Sequence, residues 1–312
     1  MFLKDISVII PCFNESKTIA NVIGCVCREF DAIDVNYELI VVDNNSSDGS
    51  DIIAKKNGAI VFYSDSKTVA GVRNDGASIS NGKVLIFLDA DIEVGVGWGL
   101  GVFNVCKDIL KNENAIYGSH PCVPDSVHPI LYFWYQGISK DARNTHLGTG
   151  HMIVSRMIFS IIGGFDINLV TGEDFDFCRR AKEKNISIIS IPQLEVFHHG
   201  YPESFMAFVK REVWHGLGDC TGVKSFFKSK VSVASSVFLM LHFIFLLFLF
   251  FDIKISLLSF LGIFSVIFSV SFYKFGFDDF KSFACVNITA YFYLLGRGVS
   301  PLYRLVSKMK YK

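Results

Sequence analysis

Residues 84–91 read VLIFLDAD, five consecutive apolar residues followed by two aspartates that flank Ala90. An apolar run of this kind is typical of a strand that is buried on both faces, as in a parallel sheet. Similar runs occur at Ile6–Ile10, Glu38–Val42 and Ala59–Tyr63. Helical stretches separate the four runs, at residues 18–30, 51–56 and 69–80. This alternation predicts an α/β fold with a doubly wound sheet.

Polar side chains follow three of the four predicted strands. Asn14 and Glu15 come after the first strand, Asp43 after the second, and Asp89 and Asp91 after the fourth. Each group alone is compatible with a helix cap, an Asx turn or a solvated strand end. Because ligands bind beyond the carboxyl ends of the strands in such sheets, their convergence on one edge favours a ligand site.

The residue types at this edge indicate a nucleotide and a metal ion. Asp89 and Asp91 suit a hard divalent cation, Mg²⁺ or Mn²⁺, which can also bind the oxygens of a substrate diphosphate. Asp43 can accept a hydrogen bond from the imide N–H of a base. Pro11 and Phe13 offer an apolar surface for the ring of that base.

Five motifs in a fixed order extend this pattern. They are VIIPCFNE at 8–15, VVDNNSSDG at 41–49, AGVRNDG at 70–76, FLDAD at 87–91, and GGFD with TGEDFDFCRRA at 163–181. Over residues 5 to about 217 the chain resembles family 2 glycosyltransferases of GT-A fold. One departure is Asn44, which replaces a common second acidic residue of the nucleotide turn, so no role is transferred to that position.

The resemblance implies a role for each site residue. Six residues would bind the donor, namely Pro11, Phe13, Glu15, Asp43, Arg73 and Asp89. Among these, Asp43 would hold the base, Arg73 the diphosphate, and Asp89 the ribose or the metal side. Asp91 would bind the metal, and His198 is favoured over His199 as a further ligand, with a solvated or core histidine pair as the alternative. An imidazole ligand would favour Mn²⁺.

Glu173 and Asp174 are the predicted catalytic residues, and the resemblance makes Asp174 the general base. Both lie at the start of a predicted helix that ends near Lys184, where the helix dipole favours carboxylates. A purely structural acidic first turn is the alternative. The implied reaction is an inverting transfer of a sugar from a nucleotide-diphosphate donor to a hydroxyl of a lipid-linked saccharide, in cell-surface polysaccharide or glycolipid synthesis.

Three other functions remain as alternatives. A polyprenyl-phosphate glycosyltransferase would share the C-terminal membrane helices, but its acceptor phosphate needs no base. A sugar nucleotidyltransferase is disfavoured, because residues 11–16 contain no Gly, Lys or Arg for a triphosphate loop. A non-catalytic membrane scaffold is the third. Nucleic acid is not an expected partner, because 30 basic and 30 acidic residues leave no net charge.

The C-terminal quarter is far more apolar than the rest of the chain. Residues 231–251 have only serines and His242 as polar interruptions, and residues 255–273 carry no charge. Because about 20 apolar residues suffice to cross a bilayer as a helix, these runs predict a membrane hairpin, with core helices of a soluble protein as the alternative. Residues 282–300 are expected to be interfacial or re-entrant. The predicted domains are therefore 1–230 and 231–312.

Basic residues predict the orientation of this membrane segment. Lys224, Lys228 and Lys230 precede the first run, and the basic stretch 297–312 follows the last. The positive-inside rule then places both ends on the cytoplasmic side of the cell membrane, in a multi-pass chain. The N-terminus lacks the pattern of a signal peptide, which agrees with a cytoplasmic catalytic domain. Residues 203–217 are expected to form an amphipathic helix at the bilayer surface, or a plain surface helix.

Overall fold

The structure is a computed structural model that describes residues 5–33, 35–111, 114–124, 127–140, 146–219 and 222–310. The chain forms two compact units. Unit 1 comprises residues 1–124 and 142–200, and unit 2 comprises residues 125–141 and 201–312.

Unit 1 is built on a mixed sheet. Its strands in chain order are β1 Ile6–Cys12, β2 Tyr37–Asp43, β3 Ile60–Tyr63, β4 Val84–Leu88, β5 Ile92–Val94, β6 Ala115–Gly118, β7 His151–Ser155, β8 Ser187–Ser190 and β9 Val196–His198. Seven of them form one sheet in the order β3-β2-β1-β4-β7-β6-β8, while β5 pairs with β9. The strands β1 to β4 are parallel, as the sequence predicted, but β7 is antiparallel to β4 and to β6.

Helices cover both faces of this sheet. They are α1 Ile19–Asp31, α2 Ser50–Lys56, α3 Val69–Ile79, α4 Trp98–Lys111, α6 Arg156–Ile162 and α7 Glu173–Glu183. One core joins Val8 and Ile86 to α1 and α4, and the other joins Ile9 and Phe87 to α3, α6 and α7. Since neighbouring residues of a strand face opposite cores, residues 84–88 are apolar throughout.

Helix α3 lies very close to the sheet. A Cβ atom at Gly76 would lie 2.5 Å from Ile9 Cγ2 and 2.8 Å from Val42 Cγ2. Such contacts leave no room for a larger residue, so Gly76 allows α3 to lie directly on β1 and β2. The position of α3 fixes where Arg73, one turn earlier, reaches the carboxyl edge of the sheet.

Unit 2 is helical. Its helices are α5 Pro129–Lys140, α8 Phe205–Asp219, α9 Val223–Lys228, α10 Lys230–Phe248, α11 Ile253–Phe275 and α12 Phe280–Lys310. By length and composition, α10 and α11 could each cross a membrane, with mean hydropathies of 2.3 and 2.2. These two helices coincide closely with the runs predicted as a hairpin. The side chain of Asp252 accepts hydrogen bonds from the N–H groups of Lys254 and Ile255 and so starts α11.

Helix α12 is longer than the segment predicted at residues 282–300. The segment lies within one continuous helix of 31 residues, which the sequence did not predict, and the interfacial and re-entrant alternatives both stay predictions. Ser300 Oγ donates to the carbonyl oxygen of Val213 in α8 at 2.9 Å, and Arg297 binds Glu212 at 2.8 Å and Asp219 at 2.9 Å. Because α8 packs on α12 in this way, unit 2 begins at Tyr201, ahead of the boundary expected near residue 230.

Candidate active site

The loops after β1 and β2 hold each other in place. The backbone N–H of Asn14 donates to Ser46 Oγ at 3.0 Å, and the N–H of Ser47 donates back to Asn14 Oδ1 at 2.9 Å. The N–H of Ser16 donates to Asp48 Oδ2 at 3.0 Å. From sequence this segment has the pattern of a local Asx turn, yet its side chains bridge two loops. These hydrogen bonds therefore hold the two loops in one arrangement at the carboxyl edge of the sheet.

Asp43 ends β2 and is 1% exposed. Its Oδ2 atom accepts from the N–H of Ser46 at 3.0 Å. Its Oδ1 atom is buried and has no hydrogen-bond partner among the residues that the structure describes. A buried acceptor without a partner is unfavourable, so Oδ1 of Asp43 has the capacity to accept one further hydrogen bond. Phe13, 59% exposed, lies in the loop after β1.

Arg73 is buried and joins two carboxylates. Its Nη2 atom donates to Asp89 Oδ1 at 2.5 Å, and its Nη1 atom donates to Glu173 Oε1 at 2.7 Å. Thr149 Oγ1 also donates to Glu173 Oε1, at 3.3 Å. Arg73 thereby links the residue that follows β4 to the first residue of α7. The predicted contact of Arg73 with a diphosphate stays a prediction, because both terminal nitrogens are engaged with protein carboxylates.

The pKa values in this cluster follow from burial and from the paired charges. Burial lowers the pKa of Arg73, but the charges of Asp89 and Glu173 outweigh it, and the net pKa is raised. Burial raises the pKa of Glu173, and the Arg73 charge opposes that rise. Arg73 is therefore a permanent cation between the two acids.

The two adjacent histidines have different partners. Nε2 of His198 lies 3.3 Å from Asp91 Oδ2. Nε2 of His199 lies 2.9 Å from Glu93 Oε2, while its backbone N–H donates to the carbonyl oxygen of Asp91 at 2.9 Å. The antiparallel pair β5 and β9 sets this arrangement, since His198 is the last residue of β9. The geometry favours His198, as the sequence did, as the histidine beside Asp91.

The edge near Asp91 is acidic. Burial raises the pKa of Glu15, and the charges of Asp91, Asp48 and Asp89 raise it further. When two ligand atoms bind one metal ion at right angles, each about 2.1 Å from the ion, the two atoms lie about 3 Å apart. The 3.3 Å between Asp91 Oδ2 and His198 Nε2 fits that spacing. Within the described residues no three His, Cys, Asp or Glu side chains form a metal site alone, so a cation would need further ligands.

Asp174 lies in the first turn of α7, and later residues of the same helix line a cavity of about 350 Å³. The cavity is lined by His146, Phe175, Cys178, Arg179, Lys182 and Glu183. The Phe175 side chain is 56% exposed, and its ring meets His146 edge to face at 5.6 Å between centroids. Burial raises the pKa of Cys178 to about 11, with a contribution from the Asp174 charge.

Sequence profiles of known families match most of the chain. Residues 7–104 match the profile described as "Glycosyl transferase family 2", and residues 134–294, just over half of the chain, match "Glycosyl transferase family group 2". The chain belongs to glycosyl transferase family 2. The family and the enzyme class predicted from the motifs are confirmed.

Named relatives of this glycosyltransferase agree with the assignment. Glycosyltransferase AglE of Haloferax volcanii is 24% identical over 226 residues, which cover 69% of this chain and 73% of AglE. The amylovoran biosynthesis glycosyltransferase AmsB of Erwinia amylovora is 30% identical over 222 residues, which cover 63% of this chain and 71% of AmsB. These similarities support glycosyltransferase activity for this chain.

A solved structure shows the same fold. The mannosyltransferase PcManGT from Pyrobaculum calidifontis, in complex with GDP-Man and Mn²⁺, superposes with a TM-score of 0.58 at 15% identity. The superposition covers 96% of this chain and 87% of that chain. The predicted GT-A fold is confirmed, with the correction that its sheet is mixed.

A buried histidine of this glycosyltransferase lies at the start of β7. Trp98 Nε1 donates to His151 Nε2 at 2.9 Å. Ser119 Oγ lies 2.7 Å from His151 Nδ1 and donates to the carbonyl oxygen of Leu194 at 2.6 Å. These partners require a neutral ring with its proton on Nδ1, which donates to Ser119. This network was not predictable from the sequence, because a histidine that opens an apolar strand gives no sign of its partners.

This histidine predicts a loss of stability in acid. Burial lowers the pKa of His151 to about 3, whereas an unfolded histidine titrates near 6.5. The unfolded state therefore binds a proton before the folded state does, and stability falls as pH decreases below about 6.5. Between pH 7 and pH 4 we expect a loss of about 3 kcal/mol from this group. Chemical unfolding of the full chain in detergent measures it.

The substitution His151→Gln is the control for this prediction. Glutamine can accept from Trp98 but does not titrate, so the variant should be less stable at pH 7 and lose less stability on acidification. An equal loss in both proteins between pH 7 and pH 4 would show that other groups are responsible.

Proposed function

We propose that this chain transfers a sugar, with inversion, from a nucleotide-diphosphate donor to a hydroxyl group of a lipid-linked saccharide. The observation that carries the proposal is the Arg73 bridge. One buried cation holds Asp89, on the predicted donor side, and Glu173, which adjoins the predicted base Asp174. Groups for donor and acceptor thus meet at one edge of the sheet.

The donor site is supported by Asp43. Its unpartnered Oδ1 atom can accept from the imide N–H of uracil or guanine, whereas adenine has no such group. Phe13 would contact the base ring from the loop after β1. We propose a uridine or guanosine diphosphate sugar as the donor. PcManGT, which shares the fold, is in complex with GDP-Man.

Asp91 and His198 are the residues that would hold a divalent metal ion, with Asp89 nearby. An imidazole beside a carboxylate suits Mn²⁺ better than Mg²⁺, because hard Mg²⁺ prefers oxygen ligands. When bound, the ion would supply positive charge for the departing diphosphate. The Mn²⁺ in the PcManGT complex supports the same assignment.

The acceptor reaction is assigned to the start of α7. Asp174 would take the proton from the acceptor hydroxyl while that oxygen attacks the anomeric carbon of the donor, and the bond to the diphosphate breaks. A single displacement of this kind inverts the configuration. The cavity lined by later residues of α7, with the exposed ring of Phe175, would receive the acceptor saccharide.

The C-terminal helices suggest that the acceptor is carried by a lipid. We propose that α10 and α11 cross the membrane as a hairpin and that the catalytic unit is cytoplasmic. Exposed Trp214 and Phe227 in α8 and α9, with Lys228 and Lys230, suit a bilayer surface. Reporter fusions at the C-terminus should read cytoplasmic, and an external reading would contradict this topology.

Turnover with defined donors tests the proposed reaction. The full chain in detergent is expected to hydrolyse UDP-sugars or GDP-sugars slowly with Mn²⁺, and to transfer the sugar faster when a lipid-linked saccharide is added. Asp43→Asn is the matched variant, since its amide would present N–H groups to the imide N–H and raise the donor KM. A product formed on polyprenyl phosphate alone would favour the polyprenyl-phosphate alternative, and no turnover with any donor would reject the proposal.

A further inference from the structure

We infer that Arg73 is a positioning residue, which sets the geometry between the donor carboxylate Asp89 and the acceptor-side residues Glu173 and Asp174. The inference rests on the proposed function and deepens it. It differs from the role in diphosphate binding that the family resemblance implies.

The geometry of the guanidinium group supports this role. Arg73 does not pair both terminal nitrogens with one carboxylate, but gives one to Asp89 at 2.5 Å and the other to Glu173 at 2.7 Å. The two terminal nitrogens of the planar guanidinium group form a fork, and this fork fixes the separation of the two acids. These acids are 84 positions apart in the chain (173 − 89), so no local structure relates them.

The surroundings of Arg73 make the fork rigid. The Arg73 side chain is 4% exposed and that of Glu173 is 9% exposed. Helix α3 lies directly on β1 and β2 at Gly76, so Arg73 is carried by a closely packed element. Thr149 fixes Glu173 from a second direction. A group held from two sides in a packed site keeps its orientation, as a positioning residue requires.

The two acids differ in exposure. The Asp89 side chain is 31% exposed and that of Glu173 is 9% exposed. Arg73 binds Oδ1 of Asp89, and a Cβ atom at Gly150 would lie 2.9 Å from Oδ2. Asp89 is therefore the more accessible acid of the pair, and the glycine at position 150 leaves room for its second oxygen.

Charge explains why a cation is needed between these acids. Without the guanidinium between them, the carboxylates of Asp89 and Glu173 would repel each other in a poorly solvated site. Asp174 follows Glu173 directly and contributes to the raised pKa of both Arg73 and Glu173. Loss of the fork would therefore release the start of α7, and with it the predicted base.

The substitution Arg73→Lys separates a positioning role of Arg73 from a role in binding the diphosphate. Lysine keeps the charge and remains a good phosphate ligand, but it cannot hold two carboxylates in a fixed planar arrangement. A positioning role predicts a fall in kcat of about 100-fold, because a displacement of about 1 Å has effects of that size. The KM for the donor should stay within about threefold of wild type. Donor hydrolysis without acceptor should fall less than transfer.

Arg156→Lys is the matched control. Arg156 is a second fork-like arginine of unit 1, and it donates to the carbonyl oxygens of Gly82 and Ala77 and to Ser80 Oγ at 2.8 to 2.9 Å. None of these partners belongs to the candidate site. Its replacement should lower the melting temperature without changing kcat or the donor KM.

A double-mutant cycle with Glu173→Gln completes the test. If Arg73 acts through Glu173, the double variant should be no slower than the slower single variant. Two independent roles would instead give effects on kcat that multiply, and this result, or a loss confined to donor KM, would overturn the inference. Wild-type turnover is measured first. Its absence rejects the proposed function and this inference together, whereas turnover with multiplying effects rejects the inference alone.

Discussion

Replacing Asp174 by Asn is expected to lower the rate of sugar transfer by about 1000-fold, the middle of the range for general base catalysis. An amide of the same shape cannot take the proton from the acceptor hydroxyl. Donor affinity should change little, because the groups assigned to the donor lie on the other side of the Arg73 bridge. Initial rates with a lipid-linked acceptor, together with calorimetric binding of the donor, measure both quantities.

Asp176→Asn is the control within the same helix. Asp176 also lies in the acidic first turn of α7, where it binds Arg179 at 2.6 Å and Arg180 at 2.7 Å. If the acidic turn only stabilises the helix, both substitutions should lower the melting temperature and neither should stop transfer. If Asp174 is the base, Asp176→Asn should keep kcat within about threefold of wild type. Transfer above one tenth of the wild-type rate in the Asp174 variant would remove it as the base.

The parallel half of the sheet was predictable, because its physical cause is local. Strands buried on two faces are mostly apolar, so β1, β2 and β4 are visible as apolar runs. Two buried exceptions, Ser7 and Glu38, are joined by a hydrogen bond in which Ser7 Oγ donates to Glu38 Oε1 at 2.6 Å. The direction of β7 was not predictable. Strand direction depends on the route by which the chain returns to the sheet, and HMIVS at residues 151–155 fits either direction equally well.

The site residues were predictable as a set, but their partners were not. Ordered motifs mark Arg73, Asp89 and Glu173, yet no pattern shows that one arginine divides its nitrogens between the two acids. The preference for His198 over His199 had little support in sequence, and the pairing of β5 with β9 supplies a physical basis for it.

The boundary between unit 1 and unit 2 depends on contacts between segments that are distant in the sequence. Helix α8 packs on α12 through residues about 85 positions apart, such as Glu212 and Arg297. In unit 2, Trp134 lies 4.9 Å from Tyr293 and 5.0 Å from Phe275 between ring centroids. Hydropathy along the chain cannot show such packing, so the boundary was expected later than it occurs.

Replacing Asp91 by Asn is expected to abolish stimulation by Mn²⁺ and to lower transfer by about 100-fold or more. A neutral amide is a much weaker ligand than a carboxylate, and the charge of the departing diphosphate would lose its counter-ion. Mn²⁺ binding followed by electron paramagnetic resonance, with GDP or UDP present, measures the first effect. Removal of metal from the wild type by a chelator should lower transfer to a similar extent. Readdition of Mn²⁺ should restore the transfer rate of the wild type but not that of the Asp91 variant.

The adjacent histidines provide a matched pair for the same site. His198→Gln should weaken Mn²⁺ binding by about 10-fold to 100-fold, the range seen when a metal site loses part of its support. His199→Gln should leave it unchanged, because the ring of His199 faces Glu93 and not Asp91. Equal Mn²⁺ affinities in the two variants would show that neither imidazole is a ligand and that carboxylates and donor oxygens suffice. A selective loss in His199→Gln would place the ion on the Glu93 side, contrary to the arrangement of β5 and β9.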